Sequence, residues 1–210
     1  DTERVILEIE KDTGSHNGGE MFFGINDGFI YLSLGDDRTP EKSQDMTILP
    51  GKHVRIDVDT GDDDIPYLIP EDNPFLDLED ARPEIYGLGL RNPWTCTQDS
   101  GDAETGEDRG RMICADVGQS WCEEMDIMIP GGNYAWVEKE CHFCYPPDPP
   151  EDPEVCDEPS VSPGEEVLPI YWYTEWAGDQ SVTGGHFYRG SAFPDYNGDY
   201  FWADWKIRDH

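Results

Sequence analysis

The feature that most restricts the fold is a spacing. Gly18-Gly19-Glu20-Met21-Phe22-Phe23-Gly24 leads through Asn26-Asp27-Gly28 into Phe29-Ile30-Tyr31-Leu32-Ser33-Leu34-Gly35-Asp36. Two short apolar runs around an Asn-Asp-Gly turn predict a β-hairpin, because that turn folds one strand back on the next. The Asp ending recurs. In Gly110-Arg111-Met112-Ile113-Cys114-Ala115-Asp116 and Gly198-Asp199-Tyr200-Phe201-Trp202-Ala203-Asp204 an aspartate follows a glycine by six positions. Asp36, Asp116 and Asp204 lie 80 and 88 residues apart. A unit repeated at a fixed period cannot bury its faces alone and must stack on its neighbours. Each unit holds several short strands, so the expectation is an all-β chain built from β-propeller blades. With a period near eighty, the 210 residues hold fewer than three units. A propeller needs about four or more blades. Further chain or another copy then completes the ring, or the sheets stack in an open form.

Strands are expected at residues 5–10, 21–36, 51–59, 84–90, 112–115, 125–129, 168–176, 186–189 and 200–205. The segment 51–59 alternates with period two and puts Val54, Ile56 and Val58 on one face. No long amphipathic helix is evident. Residues 146–163 are dense in proline and acid groups, which excludes helix and central strand. They read as an exposed excursion from one domain spanning 1–210.

With 14 Lys+Arg against 47 Asp+Glu, the net charge is −33. Nucleic acid and anionic membranes would repel such a chain. Cations, basic partners and neutral sugars are the ligands it permits. Aromatic residues at 12%, with 7 Trp and 10 Tyr, argue against disorder as the source of that charge. No stretch approaches the ~18 apolar residues that span a membrane. The chain opens at Asp1, and a strand-like alternation is already under way at Val5; both ends look cut. A processed or partial chain, with any signal peptide already removed, is the expectation.

Six cysteines set between turns suit disulfides in an oxidising, extracellular compartment. Cys96 and Cys114 lie on two apolar segments joined by the polar loop from Asp99 to Arg111, so a bridge across that hairpin is the first choice. Cys122, Cys141, Cys144 and Cys156 would form two more. Cys141-His142-Phe143-Cys144 also has the C-x-x-C spacing of a zinc site, but no second pair accompanies it.

Seven stretches occur in an order that resembles one family. They are Ser15-His16-Asn17-Gly18-Gly19, Gly51-Lys52-His53-Val54-Arg55-Ile56-Asp57, Glu84-Ile85-Tyr86-Gly87-Leu88-Gly89-Leu90-Arg91-Asn92-Pro93-Trp94, Asp116-Val117-Gly118-Gln119, Glu123-Glu124-Met125-Asp126, Gly131-Gly132-Asn133-Tyr134-Ala135-Trp136 and Val182-Thr183-Gly184-Gly185-His186-Phe187-Tyr188-Arg189-Gly190. Together they are similar to the glucose/sorbosone dehydrogenases, and Cys96 and Cys114 are most similar to the animal, hedgehog-interacting-protein-like branch. The resemblance implies a six-bladed propeller of which this chain covers roughly half. It implies pyrroloquinoline quinone (PQQ) and calcium as cofactors and an aldose sugar as substrate. His16 matches the base that takes the sugar hydroxyl proton. Arg91 and Asn92 match the pair that contacts the quinone, where a planar guanidinium suits carboxylates. Arg189 stands where the enzymes place a lysine against the cofactor. Val117 and Gly118 stand at the calcium carbonyls, without the family's proline.

Two other acidic patterns carry less. Asp57 to Asp64 lacks the EF-hand arrangement and reads as a solvated loop. Glu123 and Glu124 are adjacent in a strand, so they point to opposite faces and cannot flank one glycosidic bond. Two function classes follow: a secreted, PQQ-dependent sugar dehydrogenase, or a non-enzymatic extracellular protein that binds a partner or assembles on the same scaffold. Self-association could complete the ring in either case.

Overall fold

A computed structural model describes residues 3–59, 65–145, 155–156, 159–160, 162–174 and 180–206. The first sheet opens with the predicted hairpin, β1 (Met21–Phe23) and β2 (Ile30–Ser33), followed by β3 (Lys52–Ile56) and β4 (Ile85–Leu88), all antiparallel. The second holds β5 (Pro93–Gln98), β6 (Met112–Asp116), β7 (Cys122–Ile127) and, at its edge, β12 (Tyr171–Thr174). Two short strands, β8 (Gly132–Asn133) and β11 (Glu165–Glu166), extend the first sheet in parallel beyond β4. A small hairpin joins β9 (Lys139–Glu140) to β10 (Phe143–Cys144). The third sheet contains β13 (Val182–Phe187) and β14 (Tyr200–Asp204). Among the described residues there is no α-helix, and no helix is long and apolar enough to cross a membrane.

Strand β6 shows how the sheets stack. Met112 and Cys114 enter a core with Tyr31 and Tyr86 of the first sheet and with Leu90 and Tyr134, which lie just beyond its strands. Ile113 and Ala115, on the opposite face, pack with Met125 and Val182 toward the third. A strand covered on both sides reads as a continuous apolar run, not as an alternation. Strand β3 likewise is buried at every position. Its Val54 and Ile56 meet Ile85 and Leu88 in a second core. Each such fully buried aliphatic side chain contributes roughly 1.5–3 kcal/mol.

Residues 5–10 form no strand. Ile6, Leu7 and Ile9 lie against the Val54 core as an irregular cover, without a ladder partner. The alternation was real, but it served packing and not pairing. Most of the 146–163 excursion lies outside the described residues. All six cysteines are in disulfides: Cys96–Cys114 across β5 and β6 as expected, Cys122–Cys141 and Cys144–Cys156. The Cys141 and Cys144 sulfurs therefore belong to different bridges, and the zinc alternative falls.

The aspartate repeat has a structural meaning. Asp36 lies just beyond β2, while Asp116 closes β6 and Asp204 closes β14. Each marks the same end of the second strand in successive sheets.

Candidate active site

Two loops at that end are brought into contact through Gly35. A Cβ there would lie 2.2 Å from the His16 carbonyl oxygen and 3.1 Å from that of Arg91, so any larger residue would push them apart. The loop that carries His16 is anchored by the next residue after the repeat aspartate. The buried Asp37 carboxylate accepts from the Asp12 and Thr13 N–H groups (2.6 and 3.0 Å), from Thr13 Oγ1 and from Lys42 Nζ (2.9 Å). Burial alone would raise the Asp37 carboxyl; the Lys42 ammonium and those donors outweigh it and hold the acid well below its ordinary value. Lys11 Nζ donates to the His16 carbonyl at 2.9 Å. His16 itself sits at φ 48°, in the left-handed region that few side chains adopt.

His16 bridges an acid and a base. Its Nδ1 is 2.7 Å from Asp36 Oδ1, and its Nε2 is 3.4 Å from Arg91 Nη2. A guanidinium only donates, so Nε2 presents a lone pair and Nδ1–H donates to the carboxylate. Asp36 is held in turn by Trp136 Nε1 (2.9 Å) and by the Arg38 N–H (2.8 Å). This orients the imidazole as a proton acceptor at Nε2. The Arg91 guanidinium lies over the Trp136 ring at 5.6 Å, donates from Nη1 to the Val117 carbonyl at 2.7 Å, and makes a short contact from Nη2 to Gln119 Oε1. Arg91 Nε and Asn92 Oδ1 are buried with no hydrogen-bond partner among the described residues.

Behind Arg91, the second repeat aspartate takes the backbone. Asp116 accepts the Arg91 N–H at 2.8 Å and the Asn92 N–H at 2.6 Å. Burial pushes its carboxyl up to about 7, against the pull of those two N–H groups. Glu124 and Asp126 are also raised, by burial first and then by the neighbouring carboxylates. One oxygen from each of Asp116, Glu124 and Asp126 falls within 4.8 Å of the others. Oxygens around a calcium ion at 2.3–2.6 Å are that close, so the set has the hardness and spacing to take one.

The family description Glucose / Sorbosone dehydrogenase matches residues 1–208. The chain belongs to this family. HIPL2 protein of Arabidopsis thaliana is 36% identical over 223 residues, an alignment covering 96% of this chain and 30% of that protein. Hedgehog-interacting protein of Homo sapiens is 36% identical over 102 residues, covering 47% of this chain and 14% of that one. A solved glucose dehydrogenase overlays with a TM-score of 0.62 at 27% identity, covering 88% of this chain and 46% of that chain. The sheets are thus blades of a β-propeller, and the chain spans less than half the length of the relatives named here.

The structure brings together part of what the family resemblance implied. His16, Arg91 and Asn92 meet at one end of the blades. Arg189 does not join them. It binds Asp99 bidentately, Nε to Oδ1 and Nη2 to Oδ2, both at 2.7 Å, with Asp108 at 3.1 Å. Asp99 follows β5 and Arg91 precedes it. At about 3.3 Å per residue, β5 separates the backbone of Arg91 from that of Asp99, which holds Arg189, by about 26 Å. Val117 and Gly118 are close to Arg91 but differently engaged. A divalent cation on the Val117 oxygen would face the guanidinium it already accepts from. Gly118 is needed for another reason: a Cβ there would lie 1.8 Å from the Cys122 carbonyl. Sequence reasoning missed Asp36 and Asp116 as site residues, although the repeat had singled out both positions. It also missed Trp136, which ends one of the seven family stretches but drew no role there.

Proposed function

We propose that this chain carries the proton-accepting part of a quinone-dependent sugar-oxidising centre in an extracellular propeller. The observation that supports this reading best is His16, with Nδ1 bonded to Asp36 and the Nε2 lone pair facing Arg91 Nη2, the guanidinium that would hold the cofactor. Oxidation of an aldose at its anomeric carbon removes a hydroxyl proton and a hydride. His16 Nε2 would take the proton, and Asp36 would stabilise the resulting imidazolium and fix its tautomer. PQQ, when bound, supplies the two-electron acceptor. Arg91 and Asn92 would hold it: the buried polar atoms without partners, Arg91 Nε and Asn92 Oδ1, suit a ligand rich in carboxylates and ring carbonyls. Calcium would be served by Asp116, Glu124 and Asp126 instead of Val117 and Gly118. The three disulfides favour secretion.

The test is aldose-dependent dye reduction after addition of PQQ and calcium, in wild type and in His16→Ala. Activity in wild type that is lost in the variant supports the reading; equal activity in both removes His16 from the role. A second reading, a non-enzymatic extracellular binding protein on the same scaffold, is favoured by the identity pattern. It is 36% with Hedgehog-interacting protein, over 47% of this chain, and 27% with the solved glucose dehydrogenase. Absence of PQQ binding at micromolar concentration would decide for it.

A further inference from the structure

We propose that Gln119 is a latch that determines how readily the Arg91 site admits a carboxylate-bearing ligand. The inference rests on the reading of Arg91 as a cofactor residue. Arg189 shows how a carboxylate docks in this protein, through the Nε–Nη2 edge onto both oxygens of Asp99. The same edge of Arg91 is left half-used: Nε has no partner among the described residues, while Nη2 is capped by Gln119 Oε1 and faces His16 Nε2. No carboxylate neutralises the guanidinium directly, since Asp116 is bonded to backbone N–H groups and Asp36 to His16 and Trp136.

The latch has a fixed base and a movable tip. Glu140 Oε1 accepts the N–H groups of Gln119, Ser120 and Trp121 at 2.6, 2.8 and 2.9 Å. The Cys122–Cys141 disulfide ties the same loop to the strand that carries Glu140. Gln119 itself is exposed, so its carboxamide can rotate away without disturbing the core. A neutral carboxamide is a weaker guanidinium partner than a carboxylate, so a charged ligand displaces it at a cost. Once it moves, the ligand carboxylate lies beside the His16 Nε2 that needs a substrate nearby.

Titration of PQQ, at fixed calcium, into wild type, Gln119→Ala and Gln119→Glu tests this, read by quenching of tryptophan fluorescence and by quinone absorbance. Gln119→Ala should lower Kd about tenfold, and Gln119→Glu, which places a carboxylate permanently on Arg91, should raise it by at least about tenfold. The exposed position makes misfolding no explanation for either change. Binding with the same Kd in wild type and Gln119→Ala overturns the latch and leaves the proposed function standing. No binding by any of the three overturns both.

Discussion

The two ends of the first blades contain the same kinds of residue put to opposite uses. At the far end, arginines meet carboxylates directly. Arg55 pairs with Asp27 at 3.0 Å and Asp72 at 2.7 Å, and Arg189 with Asp99 at 2.7 Å. Their charges are neutralised by carboxylates. At the His16 end the aspartates are turned elsewhere, to an imidazole, an indole and backbone N–H groups. Arg91 is left with neutral acceptors only. A guanidinium closed by carboxylates holds structure together; one surrounded by neutral groups keeps its charge for a ligand. Burial is therefore a poor guide to function here, and the partner's charge is the better one.

The largest expected break in this contrast is chemical. Removing the proposed proton acceptor with His16→Ala should lower the turnover of the proposed sugar oxidation by about 10²–10⁴-fold. The melting temperature should stay close to that of wild type, because the ring is partly exposed and lies outside the cores. Next comes the far end. Asp99→Ala takes the buried carboxylate from Arg189 and Arg111, which keep only the partly exposed Asp108, and should destabilise the fold by about 1.5–3 kcal/mol in urea unfolding while leaving PQQ affinity unchanged. A loss of affinity in that variant would show that the two ends are coupled.

The disulfide beside the latch sharpens the comparison further. Replacing Cys122 and Cys141 together by serine opens a loop with a sequence separation of 19 residues. It should reduce stability by about 3 kcal/mol. It should also loosen the Glu140 cradle, seen as faster amide exchange at Gln119 to Trp121. The smallest effect is in pH. Asp116 is raised to about 7 in the fold from an ordinary value of 3.8. The folded state then binds more protons than the unfolded state between those limits, so this contribution is present below about pH 4 and is lost as pH rises through about 7. In EDTA, thermal stability should fall across that window. Asp126→Asn, or added calcium, should flatten the slope; an unchanged slope in both would remove the carboxylate cluster as its source.

Much of the fold was legible because strands are local. The Asn-Asp-Gly hairpin and the alternation of Val54 and Ile56 follow from backbone geometry within a few residues, and Cys96 faces Cys114 across a single hairpin. The exception, residues 5–10, shows the limit: an alternating segment can cover a sheet without pairing to it. The site was legible only in part. His16, Arg91 and Asn92 stood out in the chain. Arg189 was placed with them because Tyr188-Arg189-Gly190 stands where the resemblance has a cofactor lysine, yet its carboxylate partner Asp99 lies at the other end of β5.

The sequence alone determined the repeated strands, the hairpin disulfide and the acidity. It also marked Asp36 and Asp116 as equivalent positions, without indicating what they hold. Only the tertiary structure decided which arginine is closed by a carboxylate and which stays open. That choice depends on which loops the stacked sheets bring to one end. Side chains some 75 residues apart, such as His16 and Arg91, meet there through a glycine that leaves room for both backbones.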